Sequence, residues 1–289
     1  MKLIDPNKKY YKGNTHTHTT RSDGERSPEE VMRLYGDQGY DFLVLSDHWK
    51  PGPTRRFEDM LVLTGAEYDF NFADQVLHVV GIFPNEAATE GLRRGMDYRD
   101  VIARINRAGG AAIAAHPAWS LNTAEFLLNL EGVCAAEIYN TVSGVPWNGP
   151  RADSSGILDL VATAGRCIPQ VAADDSHYYQ GEHCRSFTML QADELTPEGV
   201  IAALKRGSFY ASQGPRFTDV EIVNGKLIVH TTPVRHCIFI SNLVWTDDRC
   251  RTGEGMTENI YTIRPTESFI RVEIVDEQGR RAWLSPIKL

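Results

Sequence analysis

The chain has 289 residues, of which 42% are hydrophobic and 24% charged, and this suits one large globular domain with a smaller appendage. Its formal net charge of -8 argues against a long nucleic-acid partner, because such partners are held by a broad positive field, but a small anionic substrate held through bound cations is not excluded. No apolar run approaches the roughly 18 residues of a membrane span, the N-terminal segment lacks an apolar signal region, and the five cysteines form no C-x-x-C pair. We therefore expect a cytoplasmic protein with reduced thiols and no membrane partner, whose oligomeric state stays open.

Strand and helix patterns alternate over residues 10–210. The first helix is predicted from Ser27 as its cap, Pro28 at its first position and Glu30 in its first turn, and it should end at Gly39. A buried strand, DFLVLS, follows directly. Later strands are predicted over MLVLTGAEYDF, QVLHVVGIF, AAIAAHP, VCAAEIYN and CIPQVAADD, and later helices over YRDVIARINRAGG, TAEFLLNLEG, GILDLVATAG and TPEGVIAALKRG. This alternation predicts an α/β fold with a parallel sheet, which we expect to close into a TIM-like barrel.

The pattern changes after Pro215. The segment RFTDVEIVNGKLIVHTT alternates in polarity on both sides of NGK, which predicts a hairpin turn. No helix signal follows. We therefore expect two units: a barrel over residues 1–213 and a small, all-β, sandwich-like appendage over residues 214–289.

Six of the nine histidines fall at or near the ends of predicted strands, and three carboxylates occur with them. The carboxyl ends of parallel barrel strands meet on one face, so side chains far apart in sequence converge there. Imidazole and carboxylate together suit divalent transition metals such as Zn, Mn or Fe better than Mg or Ca. The nine residues are His16, His18, Asp23, His48, Glu67, His78, His116, Asp175 and His177.

Each of these motifs is a weak signal by itself. The histidine pair at residues 16 and 18 only places two imidazoles on one side of an extended chain. A single buried histidine is more often a hydrogen-bonded core residue than a ligand. Six histidines and three acids at successive strand ends have no such simple explanation, so the sequence predicts a metal site.

A family resemblance rests on six motifs: THTHTTRSDG, DFLVLSDHW, GAEYDF, LHVVGIF, AAHP and ADDSH. In this order they make roughly residues 10–210 resemble the PHP family, the polymerase and histidinol phosphatase superfamily. The segment GSFYASQGP and the β-rich remainder are similar to the branch that contains the CehA/McbA-like metallohydrolases. The resemblance implies a distorted (β/α)7 barrel with up to three metals at the carboxyl-end face.

The resemblance also implies how the nine residues divide, and we expect two to three divalent transition metals (Zn, Mn or Fe). Among the ligands we expect Glu67, Asp175 and His177 to be central to catalysis. One metal would be held by His16, His18 and Asp175, a second by His78 and His116 with Glu67 bridging it to the first, and a third by Asp23, His48 and His177. Metals this close together acidify a bound water, and the resulting hydroxide attacks phosphorus in line.

Four further residues are candidates for substrate binding. Arg21 lies between two predicted ligands, where a guanidinium would grip a phosphate, and Lys50 follows the SDHW motif. His183 and Arg185 lie on the loop after the last ligand, where His183 would protonate a leaving group. For each of them an exposed side chain without a role is the alternative.

Other polar residues next to the predicted ligands have two interpretations. Asp47 and Asp174 either orient a ligand imidazole or stabilise a turn, and the sequence does not separate these roles. Glu137 and Asn140 end a strand on the same face, where support of the ligands is favoured over ligation.

These features together predict a metal-dependent phosphoesterase acting on a small phosphorylated or nucleotide-like substrate. An amide, ester or carbamate hydrolase on the same metals is the first alternative, and an exonuclease-type module is the second. A metal-binding sensor without turnover is the third. The candidate cations, Arg21, Lys50 and Arg185, favour phosphate over a neutral bond.

Overall fold

The computed structural model describes residues 1–289 as seventeen strands and five α-helices. The α-helices are α1 (Pro28–Asp37), α2 (Tyr98–Arg107), α3 (Ala124–Asn129), α4 (Ser155–Thr163) and α5 (Pro197–Arg206), and a 3-10 helix covers Glu86–Thr89. The first eleven strands are β1 (Lys2–Ile4), β2 (Tyr10–Asn14), β3 (Phe42–Leu45), β4 (Arg55–Phe57), β5 (Met60–Asn71), β6 (Val76–Phe83), β7 (Ala111–Ala114), β8 (Ala135–Asn140), β9 (Gln170–Ala173), β10 (Phe187–Gln191) and β11 (Phe209–Ser212). The other six are β12 (Phe217–Val223), β13 (Lys226–Ser241), β14 (Cys250–Thr262), β15 (Phe269–Val275), β16 (Arg281–Trp283) and β17 (Ile287–Lys288).

The helices begin where their caps predict. Ser27 accepts from the backbone N–H of Glu30, whose carboxylate accepts from Ser27 in return, so α1 starts with a complete capping box. The Thr196 side chain caps α5 by accepting from the backbone N–H of Gly199, without a reciprocal bond. The longest α-helices have ten residues, so none is long enough to cross a bilayer.

The sheet is mixed, so the α/β class is confirmed but the predicted parallel TIM-like barrel is not. Strands β2, β3 and β5 pair in parallel, as do β7, β8 and β9. Strand β6 runs antiparallel to both of its neighbours, because only residues 72–75 join it to β5 and a parallel crossover needs a dozen residues or more. The sheet is not closed: an isolated bridge between Thr17 and Ser176 is the only pairing between the β2 and β9 segments.

The strands after residue 213 are antiparallel, and no helix occurs among them, as the alternating pattern predicts. Their first hairpin turns at Asn224 and Gly225, whose φ angles are 49° and 73°, as expected for the NGK motif. Strand β12 pairs with β1 and β16 pairs with β11, so these strands continue the sheet of the preceding part. The division into units at residues 213 and 214 stays a prediction.

One contact between the two parts lies deep in the protein. Trp283 on β16 is fully buried, and its ring stacks on Tyr139 of β8 at 5.6 Å between centroids. Nearby, the buried Arg271 makes a two-bond ion pair with Asp159 of α4, at 2.5 and 2.8 Å. These contacts place the later strands against the back of β8 and α4.

Candidate metal centre

The segment after β2 carries the first two histidines past the end of β9. The backbone N–H of His18 donates to Ser176 O at 3.0 Å, and that of Asp175 donates to His16 O at 2.9 Å. Thr17 points the other way and donates to Val44 O. Because side chains alternate along extended backbone, the two imidazoles therefore share one face with Asp175.

Asp47 stabilises the loop from His18 to Gly24. The Asp47 carboxylate accepts hydrogen bonds from the backbone N–H groups and hydroxyls of Thr19 and Ser22, at 2.8 to 3.1 Å. A β-carbon at Gly24 would lie 2.5 Å from the carbonyl carbon of His18, so only glycine fits there. Asp47 thus stabilises the turn, the second of its two interpretations.

The antiparallel hairpin of β5 and β6 supplies two more residues. Asp69 is opposite His78 in the register, so Glu67 and His78 are diagonal neighbours on one face of the hairpin. Their side chains meet, with 2.7 Å between Glu67 Oε1 and His78 Nδ1. The antiparallel strand that departs from the predicted barrel is therefore the one that brings this pair together.

The structure brings all nine predicted ligands into one cluster, which divides into three groups. The groups are His16, His18, Glu67 and Asp175; Glu67, His78 and His116; and His18, Asp23, His48 and His177. Within each group the potential ligand atoms lie within 4.8 Å of one another. This grouping corresponds to the three sets that the family resemblance implies, with His18 contacting two of them. We call the nine residues the ligand cluster.

Glu67 is at the centre of the ligand cluster. Its Oε2 lies 3.3, 3.1 and 3.3 Å from the Nε2 atoms of His16, His18 and His48, respectively. Its Oε1 contacts His78, as above, and lies 3.2 Å from Nε2 of His116. Five imidazoles therefore surround one carboxylate that is only 1% exposed. Glu67 is thus a member of two of the three groups.

The third group lies nearer to solvent. Asp23 Oδ2 lies 3.6 Å from His48 Nε2 and 3.5 Å from His177 Nε2, and its side chain is half exposed. His177 Nδ1 donates to the backbone oxygen of Asp175 at 2.7 Å, which leaves Nε2 facing the cluster. A cation at this group would be the one most accessible to a substrate.

The charges of the cluster shift the pKa values of its members in opposite directions. Burial lowers the pKa of His16 and His18, but the carboxylates of Glu67 and Asp175 outweigh burial and raise both well above the ordinary value. Burial raises the pKa of Glu67, but His16 and His78 outweigh it and hold that pKa well below its usual range. Burial also raises the pKa of Asp175 and of Asp23, but neighbouring imidazoles outweigh it and lower both values: His16 and His177 for Asp175, and His177 and His18 for Asp23.

Two carboxylates outside the ligand cluster orient its imidazoles. Glu137 is fully buried; its Oε1 lies 2.8 Å from His16 Nδ1, and its Oε2 accepts from the backbone N–H of His116 and from Asn140. Asp69 Oδ1 lies 3.3 Å from His48 Nδ1, an ion-pair distance without hydrogen-bond geometry. Since the Glu137 bond occupies Nδ1 of His16, Nε2 of His16 is left for a cation, and the nearby Asp69 carboxylate favours the same arrangement at His48. These contacts agree with the supporting role that the sequence favours for Glu137 and Asn140. Asp69 was not among the residues predicted from the sequence.

Asp174 stabilises the neighbouring loop and contacts no imidazole. It accepts from Asn14, Tyr35 and Thr141 and from the backbone N–H groups of residues 184–186. Burial, which these hydrogen bonds oppose, raises its pKa to about 7. Its role is therefore to fix the chain on both sides of the Asp175 segment.

A cleft with two chambers opens onto the ligand cluster, and Asp23, His48 and His78 belong to both. The polar chamber, of about 450 Å³, has no hydrophobic lining residue and is completed by Ser22, Lys50, Asp69, Asn71 and Arg94. The aromatic chamber, of about 250 Å³, is bounded by further cluster residues together with Trp119, Tyr178, Val142, Ser143 and Asn148. The cluster thus separates a polar surface from a partly aromatic one.

The four predicted substrate-binding residues differ in their positions. Lys50 lines the polar chamber. The guanidinium of Arg21 donates to Pro51 O at 2.7 Å, and the Arg185 guanidinium lies over the ring of Trp147, 5.6 Å from its centroid. His183 packs near Tyr179, 5.8 Å between ring centroids, and burial lowers its pKa. Neither chamber includes Arg21, His183 or Arg185, so their substrate-binding role stays a prediction without support from the geometry.

The residues present fit divalent cations. Nε2 of His16 and Nε2 of His18 face each other at 3.2 Å, and Asp175 Oδ1 is buried without a hydrogen-bond partner. Imidazole nitrogens and carboxylate oxygens that converge in a buried space need protons or cations between them. Six imidazoles with three carboxylates match the preference of Zn, Mn or Fe.

Two residues of the cluster have positive φ angles that the sequence does not predict. Asp175 and His116 have φ angles of 54° and 30°, in the region that side chains other than glycine rarely adopt. Such residues concentrate at functional sites, where the surrounding structure fixes them.

Comparison with protein-family models finds no match, and comparison with curated proteins finds none either. Among solved structures, the chain is similar to a two-domain protein containing a predicted PHP-like metal-dependent phosphoesterase from Bacteroides vulgatus, with a TM-score of 0.56 and 16% identity over 98% of this chain and 96% of that one. A protein from Bifidobacterium adolescentis assigned as a metal-dependent phosphoesterase has a TM-score of 0.40 and 15% identity over 57% of this chain and 87% of that one. An amidohydrolase from Chromobacterium violaceum, with bound sulfate and no metal, has a TM-score of 0.41 and 15% identity over 59% of this chain and 89% of that one. The first of these confirms the predicted PHP resemblance at the level of the fold.

Proposed function

We propose that the protein is a metal-dependent hydrolase and, more specifically, a phosphoesterase for a small phosphorylated or nucleotide-like substrate. The observation that carries this proposal is the central position of Glu67 among five imidazoles, with Asp175 and Asp23 completing three groups of ligands. Two to three divalent cations bound there would acidify a water and stabilise charge on the oxygens of the substrate.

The residues of the chain divide the remaining work. Glu67 and Asp175 place the ligands of neighbouring sites within one buried cluster, and Glu137 and Asp69 fix the orientation of His16 and His48. His177 lies with Asp23 on the accessible side of the cluster. The walls of the cleft then hold the part of the substrate that does not react.

The charge of the site favours a phosphoester over a neutral bond. Counted over the ligand cluster with one metal-bound hydroxide, three carboxylates balance two divalent cations, and a net positive charge remains when three cations are bound. A phosphoryl dianion gains from this field, whereas an amide or neutral ester does not. The polar chamber, which lacks hydrophobic residues, supports the same choice.

A turnover panel tests the proposal and its alternatives together. The protein loaded separately with Zn, Mn and Fe should hydrolyse 4-nitrophenyl phosphate, whose good leaving group needs no proton from the protein. The amide, ester and carbamate alternative is tested with three matched substrates: 4-nitrophenyl acetate, a nitroanilide and a nitrophenyl carbamate. A single-stranded oligonucleotide measures the exonuclease alternative.

The chelated protein serves as the blank. Metal-dependent turnover of the neutral substrates alone would replace the phosphoesterase proposal with the amide or ester alternative. Metal binding without turnover of any member would overturn the hydrolase proposal and favour a sensor.

A further inference from the structure

The polar chamber contains two cations that the metal chemistry does not require. Lys50 and Arg94 lie on its wall beside Asn71, adjacent to the third group of the ligand cluster. Each of these cations already has one partner, because Arg94 pairs with Asp69 through one nitrogen and Lys50 donates to the backbone oxygen of Arg21. A guanidinium has five N–H donors and an ammonium has three, so both side chains keep further donors for a ligand in the chamber.

Arg94 is held in place although its side chain is largely exposed. One nitrogen, Nη1, donates to Asp69 Oδ2 at 2.9 Å, and the guanidinium lies over the ring of Trp49, 5.4 Å from its centroid. Asp69 is fixed in turn by the indole N–H of Trp49 at 2.8 Å. A guanidinium has five N–H donors, so Arg94 retains donors for an anion at little cost in conformational entropy.

The chamber is larger than a phosphoryl group on the cluster requires. Its volume is about 450 Å³, and the part away from His48 and His78 is bounded by Lys50, Asn71 and Arg94. Of the two chambers, only the aromatic one has hydrophobic lining residues, which include Trp119 and Tyr178. A group in the polar chamber is therefore recognised by charge and hydrogen bonds.

From this arrangement we propose a second anion subsite formed by Arg94 and Lys50, which selects substrates that carry a further anionic group, a carboxylate or a second phosphate, beyond the scissile phosphoryl group. The inference rests on the proposed phosphoesterase function and names the class of its substrate. Arg94 makes the directional contact, and Lys50 contributes as a point charge.

The test uses matched alkyl phosphates, with and without a terminal carboxylate, that have two to four methylenes between the two groups. We expect the metal-loaded protein to prefer the carboxylated member of the best pair by roughly tenfold or more in kcat/KM, in the range of a charged hydrogen bond. Arg94→Ala should abolish this preference, Lys50→Gln should reduce it, and Arg94→Lys should restore part of it.

Arg93→Ala is the matched control, because Arg93 adjoins Arg94 in the sequence but lines neither chamber, and the variant should keep the wild-type preference. Metal content is measured for every variant. Equal hydrolysis of both members by the wild type, or an equal loss for both members in Arg94→Ala, would overturn the subsite.

Calorimetric titration of the same pairs onto the metal-loaded protein separates the subsite from turnover. A carboxylate preference in binding, lost in Arg94→Ala, without hydrolysis of any member would contradict the phosphoesterase proposal and support the subsite. Absence of the preference in both binding and turnover would overturn the subsite. The phosphoesterase proposal would then be decided by the turnover panel described above.

Discussion

Glu67→Gln is the substitution to which the ligand cluster should be most sensitive. It preserves the shape of the side chain and an oxygen donor but removes the charge that five imidazoles surround. We expect the variant to bind fewer cations and to lose activity by a factor on the order of 10² or more, about 2.7 kcal/mol or more in activation free energy.

The magnitude follows from the position of the carboxylate. Glu67 is 1% exposed, so solvent screens it little, and a unit charge pair about 4 Å apart is worth about 4 kcal/mol at an effective dielectric constant of ~20. Each of the two sites that Glu67 joins loses an interaction of this kind. The amide oxygen of glutamine compensates only in part, so the hundredfold loss is a lower bound.

The assay combines steady-state kinetics on the best phosphoester with cation titration and circular dichroism on the same samples. Glu267→Gln is the matched control, since Glu267 is a buried carboxylate that contacts Ser241, Tyr261 and Arg264 and no member of the cluster. Its activity should remain at the wild-type level. Normal turnover and metal content in Glu67→Gln would refute the bridging role of Glu67.

Three further predictions concern the metals. Elemental analysis of gently purified protein should find two to three transition-metal equivalents per chain, and less than one equivalent without uptake on reconstitution would contradict the three-group interpretation. Asp69→Asn should weaken one of the cation sites by roughly 10–100-fold and spare the others, because the Asp69 carboxylate lies at an ion-pair distance from His48 and from no other member of the cluster; uniform weakening in a metal titration would exclude a role in orienting His48. Because carboxylates outweigh burial and raise the pKa values of His16 and His18 well above the ordinary value, a cation must displace protons from these imidazoles, so affinity should rise with pH and binding should release protons. Calorimetry in buffers of different ionisation enthalpy measures this release, and affinity independent of pH between 6.5 and 8.5 would contradict it.

Local signals in the sequence predict the α-helices and the residues that make up the ligand cluster. The caps at Ser27 and Thr196 are visible because capping depends on residues three positions apart. Most of the nine candidate ligands are visible because they follow strands, whereas Glu67 and His78 lie within β5 and β6.

Longer-range features of the fold and site were not predictable in this way. The direction of β6 depends on the four residues before it, and apolar strands look alike in parallel and antiparallel sheets. Arg21 was placed by its sequence distance from His18, but its guanidinium turns to the carbonyl of Pro51, a contact across 30 positions. Arg94 lies on a loop without a motif and reaches the site only through Asp69 and Trp49.

The burial of Trp283 has a consequence for how the protein unfolds. Its indole belongs to the same core cluster as Ile138 and Ala136 of β8, and β8 also carries Glu137, which contacts His16, and Asn140, which donates to Glu137. Removing a fully buried Trp from such a core costs about 3–5 kcal/mol, so the later strands cannot detach without weakening β8. Denaturation should therefore be one cooperative transition, in which indole fluorescence and cation release share a midpoint.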